Sequence, residues 1–151
     1  SRGLGDVYKR QVERGLVVDG IELELKGKVN DNLDVTFGYT SMDGKNGTND
    51  AREIPESMYS LWANYEVNPK LGWAVGVMHQ GESLIKDGGT QMLPDYTRVD
   101  AAVYLMLSND FRLQVNMENL TDELYFPHSH STHQVSVGRE RNIRLSLTRN
   151  F

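Results

Sequence analysis

Three histidines, His128, His130 and His133, stand close together in the order H-x-H-x-x-H near the end of the 151-residue chain. Imidazole is a common metal ligand, but this spacing lacks the i, i+4 pairing with which a helix aims two imidazoles at one zinc ion. The chain has no cysteine, and no carboxylate set stands beside the histidines. They are therefore assigned no metal and no cofactor, and are expected to be solvated or loop-packing side chains, with contact to a ligand at the mouth as the alternative. Asp43-Gly44-Lys45-Asn46-Gly47-Thr48-Asn49-Asp50 is rich in oxygen ligands like a calcium loop. It misses both the spacing and the closing glutamate of an EF-hand, so a polar loop is expected there. Glu22, Glu24, Lys26 and Lys28 share one parity and are expected to form a solvated wall with ion pairs across strands. They are not a catalytic pair, because no nucleophile or base accompanies them. With no phosphate-binding glycine loop, no Ser-His-Asp arrangement and no zinc signature, no enzyme is expected. Sixteen basic against 21 acidic residues leave a net charge of -5, which excludes a basic nucleic-acid surface.

The elements that must position these residues are strands. Asn30-Asp31-Asn32, Asn68-Pro69-Lys70 and Ser108-Asn109-Asp110 have the composition of tight turns. Between them lie longer polar connections at 43–55, 83–94 and 127–140. All four prolines, Pro55, Pro69, Pro94 and Pro127, fall in connections, as ladder hydrogen bonding demands. Between the connections, apolar and polar residues alternate with period two in about seven segments. Ile21, Leu23, Leu25 and Val29 begin the series, and Ile143, Leu145 and Leu147 end it against Arg144, Ser146 and Thr148. No helical periodicity appears. The fold class is all-β and antiparallel.

A strand with one greasy and one wet face suits either a soluble sandwich or a transmembrane barrel. Mean hydropathy is -0.52 and no apolar run is long enough for a membrane helix, yet a barrel strand needs only about ten alternating residues. Short turns alternate with long connections, as periplasmic turns and extracellular loops do in outer-membrane barrels. Tyr39, Tyr59, Tyr65, Trp73, Phe111 and Phe151 fall on the apolar parity near strand ends, where aromatic girdles form. A transmembrane β-barrel segment is therefore expected, with a soluble antiparallel barrel or binding module as the alternative.

Several segments together carry a family resemblance. Asn119-Leu120-Thr121-Asp122-Glu123-Leu124-Tyr125-Phe126 resembles a segment near the end of TonB-dependent outer-membrane receptors. Leu93-Pro94-Asp95-Tyr96-Thr97-Arg98-Val99-Asp100 and Ile54-Pro55-Glu56-Ser57 with Leu61-Trp62 resemble earlier segments of the same receptors. Tyr125 to Gln134 and Val137-Gly138-Arg139-Glu140-Arg141 look most like ferric siderophore receptors of the catecholate type. The resemblance implies the C-terminal part of a larger, 22-stranded barrel in the outer membrane of a Gram-negative bacterium. It also implies outer-membrane lipid, a ferric siderophore and the TonB complex as partners, the last through a plug domain absent from these residues. Terminal Phe151 resembles the aromatic end read by the barrel-assembly machinery. Arg149 departs from the pattern, and its long stem is expected to reach the periplasmic interface. A receptor for haem, cobalamin or a glycan is the alternative within the family. Residues 1–11 (SRGLGDVYKRQ) contain no apolar signal-peptide core and are expected to be a non-native leader, with the barrel occupying 12–151.

Overall fold

A computed structural model describes residues 11–13 and 15–149, all in strands, turns and loops. Most of the expected leader and the terminal Phe151 lie outside the described residues. Among the described residues nine strands form one antiparallel sheet, eight of them in chain order along it: β1 (Gln11–Glu13), β2 (Leu16–Asn30), β3 (Leu33–Asn46), β4 (Ser57–Asn68), β5 (Leu71–Gln80), β6 (Tyr96–Met106), β7 (Phe111–Glu118) and β8 (Asn142–Arg149); the ninth, the two residues Asn49–Asp50, pairs with the end of β3 off this path. The seven expected strands are all present. β1 was not expected, and it doubles back on Leu16–Val18 through a turn in which Gly15 takes a positive φ of 87°. Along the eight labelled strands each pairs with the next, so this part of the sheet is an up-and-down meander. β2 and β3 reach further than alternation alone indicates. Asp43 to Asn46, expected to be loop, continue β3 because Leu16 to Asp19 supply their ladder partners.

The tight turns are closed by the residue types that mark them. Asn30 Oδ1 accepts the Asn32 N–H at 2.9 Å, Asn68 Oδ1 accepts those of Lys70 and Leu71 at 2.8 and 3.1 Å, and Ser108 Oγ accepts that of Asp110 at 3.3 Å. Such side chains offer a local acceptor to amides that leave the ladder, and so stop a strand.

Register turns sequence parity into continuous rows. Leu25, Phe37, Leu61, Val77 and Val99 stand side by side across five strands, and Tyr65, Trp73, Val103, Val115 and Leu145 across another five. The opposite face carries the rows Lys26, Thr36, Trp62, Gly76, Asp100 and Glu66, Gly72, Tyr104, Gln114, Ser146. Among the described residues no second layer covers the apolar rows: Ile21 is 71% exposed and Leu145 69%. A sandwich would have buried these side chains, and an apolar face this broad requires lipid in place of water. Toward the two ends of the strands the face carries rings. Tyr59 stacks on His79 at 4.7 Å, and Tyr65 tilts against Trp73 at 5.4 Å. Arg149 finds a partner at the turn end, with its guanidinium 5.4 Å from the ring centre of Phe111 directly across the ladder.

One expectation about the polar face fails. Glu22, Glu24 and Lys26 face Thr40, Gly38 and Thr36, and although Lys28 stands opposite Asp34, no ion pair forms along this row among the described residues. Alternation fixes parity, whereas ion pairing also depends on which residue the neighbouring strand places opposite.

Candidate functional site

The three long connections leave the same end of the sheet and pack on one another. The first, between β3 and β4, and the second, between β5 and β6, form a platform. Ala51 N–H donates to Gly44 O at 2.8 Å, Glu53 N–H to Leu84 O at 2.9 Å, and Gly88 N–H to Asp50 O at 2.9 Å. Asp87 ties the two together: its carboxylate accepts the Arg52 N–H at 2.7 Å and the Asn46 side-chain amide at 2.8 Å. Those two bonds, the backbone one foremost, hold the Asp87 carboxyl below the ordinary carboxylate range. In the expected polar loop, Lys45 bonds Asp50 and lies 3.9 Å from Asp43, so a cation already stands between these carboxylates.

The third connection, between β7 and β8, is rooted in a buried knot built from two of the segments that carry the family resemblance. Asn119, 1% exposed and at φ 52°, closes a turn with its side chain. Its Oδ1 accepts the Glu123 N–H at 2.9 Å, and its Nδ2 donates to the carbonyls of Glu123 and Arg139 at 2.9 and 3.0 Å. Both legs of the loop are thereby joined at their base. The Asn119 N–H donates in turn to Asp100 Oδ1 on β6 at 2.9 Å, and Leu120 N–H to Val99 O at 2.7 Å. Asp100 also holds Arg98 at 2.8 Å, and Arg98 donates to the Tyr125 hydroxyl at 3.2 Å. The buried rings of Tyr96 and Tyr125 pack at 4.6 Å. Gly138 lies against the Tyr125 ring, and any Cβ there would enter it.

Beyond this root the chain forms a ribbon, His128–Ser131 against Gln134–Ser136. His128 and His130 are exposed on one strand of it, and His133 is exposed at its turn, 3.0 Å from Ser131 Oγ. The three are on one ribbon, but among the described residues no group of three or more metal-ligating side chains gathers. Ser129, between the histidines, is buried instead. Its N–H donates to Glu53 Oε1 at 3.0 Å, while Arg52 donates to the His130 carbonyl. Sequence reasoning did not single out Arg52, Glu53, Arg98 or Asp100 for a role. The Arg-x-Asp spacing of the latter pair places both on one strand face, but their partner on the far loop could be found only by folding.

Below the mouth, the polar face presents a concavity of about 370 Å3 lined by Trp62, Asp100, Gln114, Asn116, Glu118 and Arg144. Glu118 accepts from Asn142 and Arg144 at 3.1 and 3.2 Å. A single-layer meander with lipid-compatible outer rows, a polar inner wall and loops gathered at one end is a wall section of a transmembrane β-barrel.

Comparison with known proteins names the family. The family model described as "TonB dependent receptor-like, beta-barrel" matches residues 2–120. The chain belongs to this family of outer-membrane receptors and is a C-terminal portion of its barrel. The probable TonB-dependent siderophore receptor PiuA of Acinetobacter baumannii is 28% identical over 148 residues, covering 86% of this chain and 20% of the relative. The ferrioxamine receptor of Yersinia enterocolitica is 30% identical over 146 residues, covering 87% and 20%. The crystal structure of PiuA superimposes with a TM-score of 0.79 at 24% identity, covering 89% of this chain and 22% of that one. The open form of the ferric-catecholate import receptor Fiu from Escherichia coli K12 gives 0.78 at 20% identity, covering 90% and 21%. These likenesses establish the fold. The chain spans about a fifth of the length of the curated relatives it matches, and the family is one of transporters and receptors, not of enzymes.

Proposed function

We propose that the complete protein imports a ferric siderophore of the catecholate type across the outer membrane. In this reading residues 12–151 are barrel, and a plug domain outside them meets the TonB complex. The loops capture the iron chelate, and energy relayed through TonB shifts the plug so that the chelate passes along the polar wall. The observation that carries the reading is the packed, three-loop mouth above an open polar face. The siderophore receptors among the relatives support it, as does the likeness to a ferric-catecholate import receptor. Terminal Phe151 serves the barrel-assembly machinery in this scheme.

His128, His130 and His133 are proposed as contacts for the chelate, because an exposed imidazole N–H at the mouth can donate to the oxygen-rich surface of a catecholate complex. The test is binding of a ferric tris-catecholate, a ferric hydroxamate, haem and cobalamin to the purified complete receptor, followed by intrinsic tryptophan fluorescence. Tight binding of the catecholate alone is the expected result. Preference for haem or cobalamin would replace the siderophore reading. Joint replacement of the three histidines should weaken catecholate binding with assembly unchanged, and unaltered affinity would remove them from the site.

A further inference from the structure

The last loop does not simply stand on its root. Four strands separate its base from the first loop in the sheet, yet the two meet at Arg52 and Glu53, neighbours in sequence and opposite in charge. Each takes hold of the ribbon's backbone, Arg52 at the His130 carbonyl and Glu53 at the Ser129 amide. A guanidinium donating to a carbonyl and a carboxylate accepting from an amide are charge-assisted bonds, roughly twice as strong as neutral ones. Both grips fall on consecutive residues of one ribbon strand, so together they fix its position and orientation.

Glu53 carries a further mark. Its φ of 58° lies in the left-handed region, which a residue with a long side chain occupies only when its surroundings enforce it. Two partners do so here: its N–H is bound to Leu84 O on the second loop and its carboxylate to the third. One strained residue thus touches all three loops. The grip also buries Ser129, whose hydroxyl finds no partner among the described residues. A buried hydroxyl without a hydrogen bond is a cost that the open loop would not bear. The closed arrangement is therefore held by the clasp against an opposing term, which is the balance a releasable latch needs.

We propose that Arg52 and Glu53 form a clasp that buckles the last loop, as a strap, onto the platform made by the first two, and that its release opens the mouth. The proposal rests on the importer reading for its biological use, but the clasp is measurable without any ligand. Glu53→Gly removes the carboxylate and suits the positive φ, so the turn and its bond to Leu84 survive. Arg52→Ala removes the other grip. In the ligand-free complete receptor, amide hydrogen exchange of residues 127–137 is expected to rise at least about tenfold in each variant, the scale of a lost charged hydrogen bond. Exchange across 81–93 should stay as it was, since the platform keeps its own bonds. Exchange in 127–137 within twofold of the parent in both variants would overturn the clasp, as would equal acceleration across 81–93, which would mean the whole mouth had unravelled. Absence of ferric chelate binding by the parent receptor would refute the importer reading alone.

Discussion

Parity on β8 offers the sharpest test of the membrane assignment. Leu145 and Ser146 are adjacent in sequence and point to opposite faces. Leu145 pairs with Val115, which pairs with Val103, so an arginine placed there would have apolar cross-strand neighbours on the β7 side. It lies four residues before Arg149 at the turn end, about 13 Å along the strand and roughly 10 Å in depth after a tilt near 40°. In an apolar band about 25 Å tall that is close to the midplane, where a lipid-facing arginine costs about 2–4 kcal/mol. At about 1.4 kcal/mol per tenfold, Leu145→Arg should depress the folding equilibrium by roughly 30- to 1000-fold. Ser146 pairs with Gln114, and Arg144 already stands on its face, so Ser146→Arg should change folding little. The assay is folding yield of the complete receptor into lipid bilayers, read by heat-modifiable gel mobility. Equal tolerance of the two substitutions, or the reverse order, would refute either the register or the lipid assignment.

Three further outcomes are expected. Asn119→Ala strips the knot of three side-chain hydrogen bonds and leaves a left-handed residue without its reason, roughly 3–5 kcal/mol in sum. Trypsin should then cut at Arg139 and Arg141 before the barrel unfolds, and an unchanged cleavage rate would remove Asn119 from its role as anchor. The Asp87 carboxyl is held low, so its contribution is present above the ordinary carboxylate value near 4 and is lost as pH falls through its own lower value. Pepsin nicking of 81–95 in the complete receptor should therefore rise below about pH 4 more steeply than in Asp87→Asn, and parallel profiles would contradict this. Expressed alone, these residues should aggregate or need detergent, because an unclosed sheet leaves ladder groups unpaired at its edges; a detergent-free monomer that unfolds cooperatively would overturn the membrane assignment.

The parts of this fold legible in the sequence are those with a local cause. Period-two alternation assigned the facing of the expected strands, and Asn30, Asn68 and Ser108 marked the tight turns because their side chains close those turns themselves. The ribbon and the outer parts of β2 and β3 were not legible, since polar residues such as Asp43 and Lys45 become strand only when a partner strand supplies the ladder. β1 was missed because its hairpin depends on Gly15 and its residues carry almost no periodic signal. At the mouth, the segments around Asp100 and Asn119 stood out as family marks, yet nothing in either says that they bond to each other. That contact belongs to the register between β6 and β7. The histidines were placed on a loop, and their neighbour Ser129, not they, proved to be the buried residue.

The polar wall pairs its largest rings with its smallest residues. Trp62 stands opposite Gly76 and Tyr104 opposite Gly72, and a Cβ on Gly76 would run into the indole. A ring lying flat on bare backbone adds only its own thickness of about 3.5 Å, whereas an upright one would project roughly twice as far. At Gly76 the bare backbone thus keeps the indole low on the wall. A side chain added at Gly76 would lift the indole off the wall and so narrow the space over the polar face through a ring it does not itself replace.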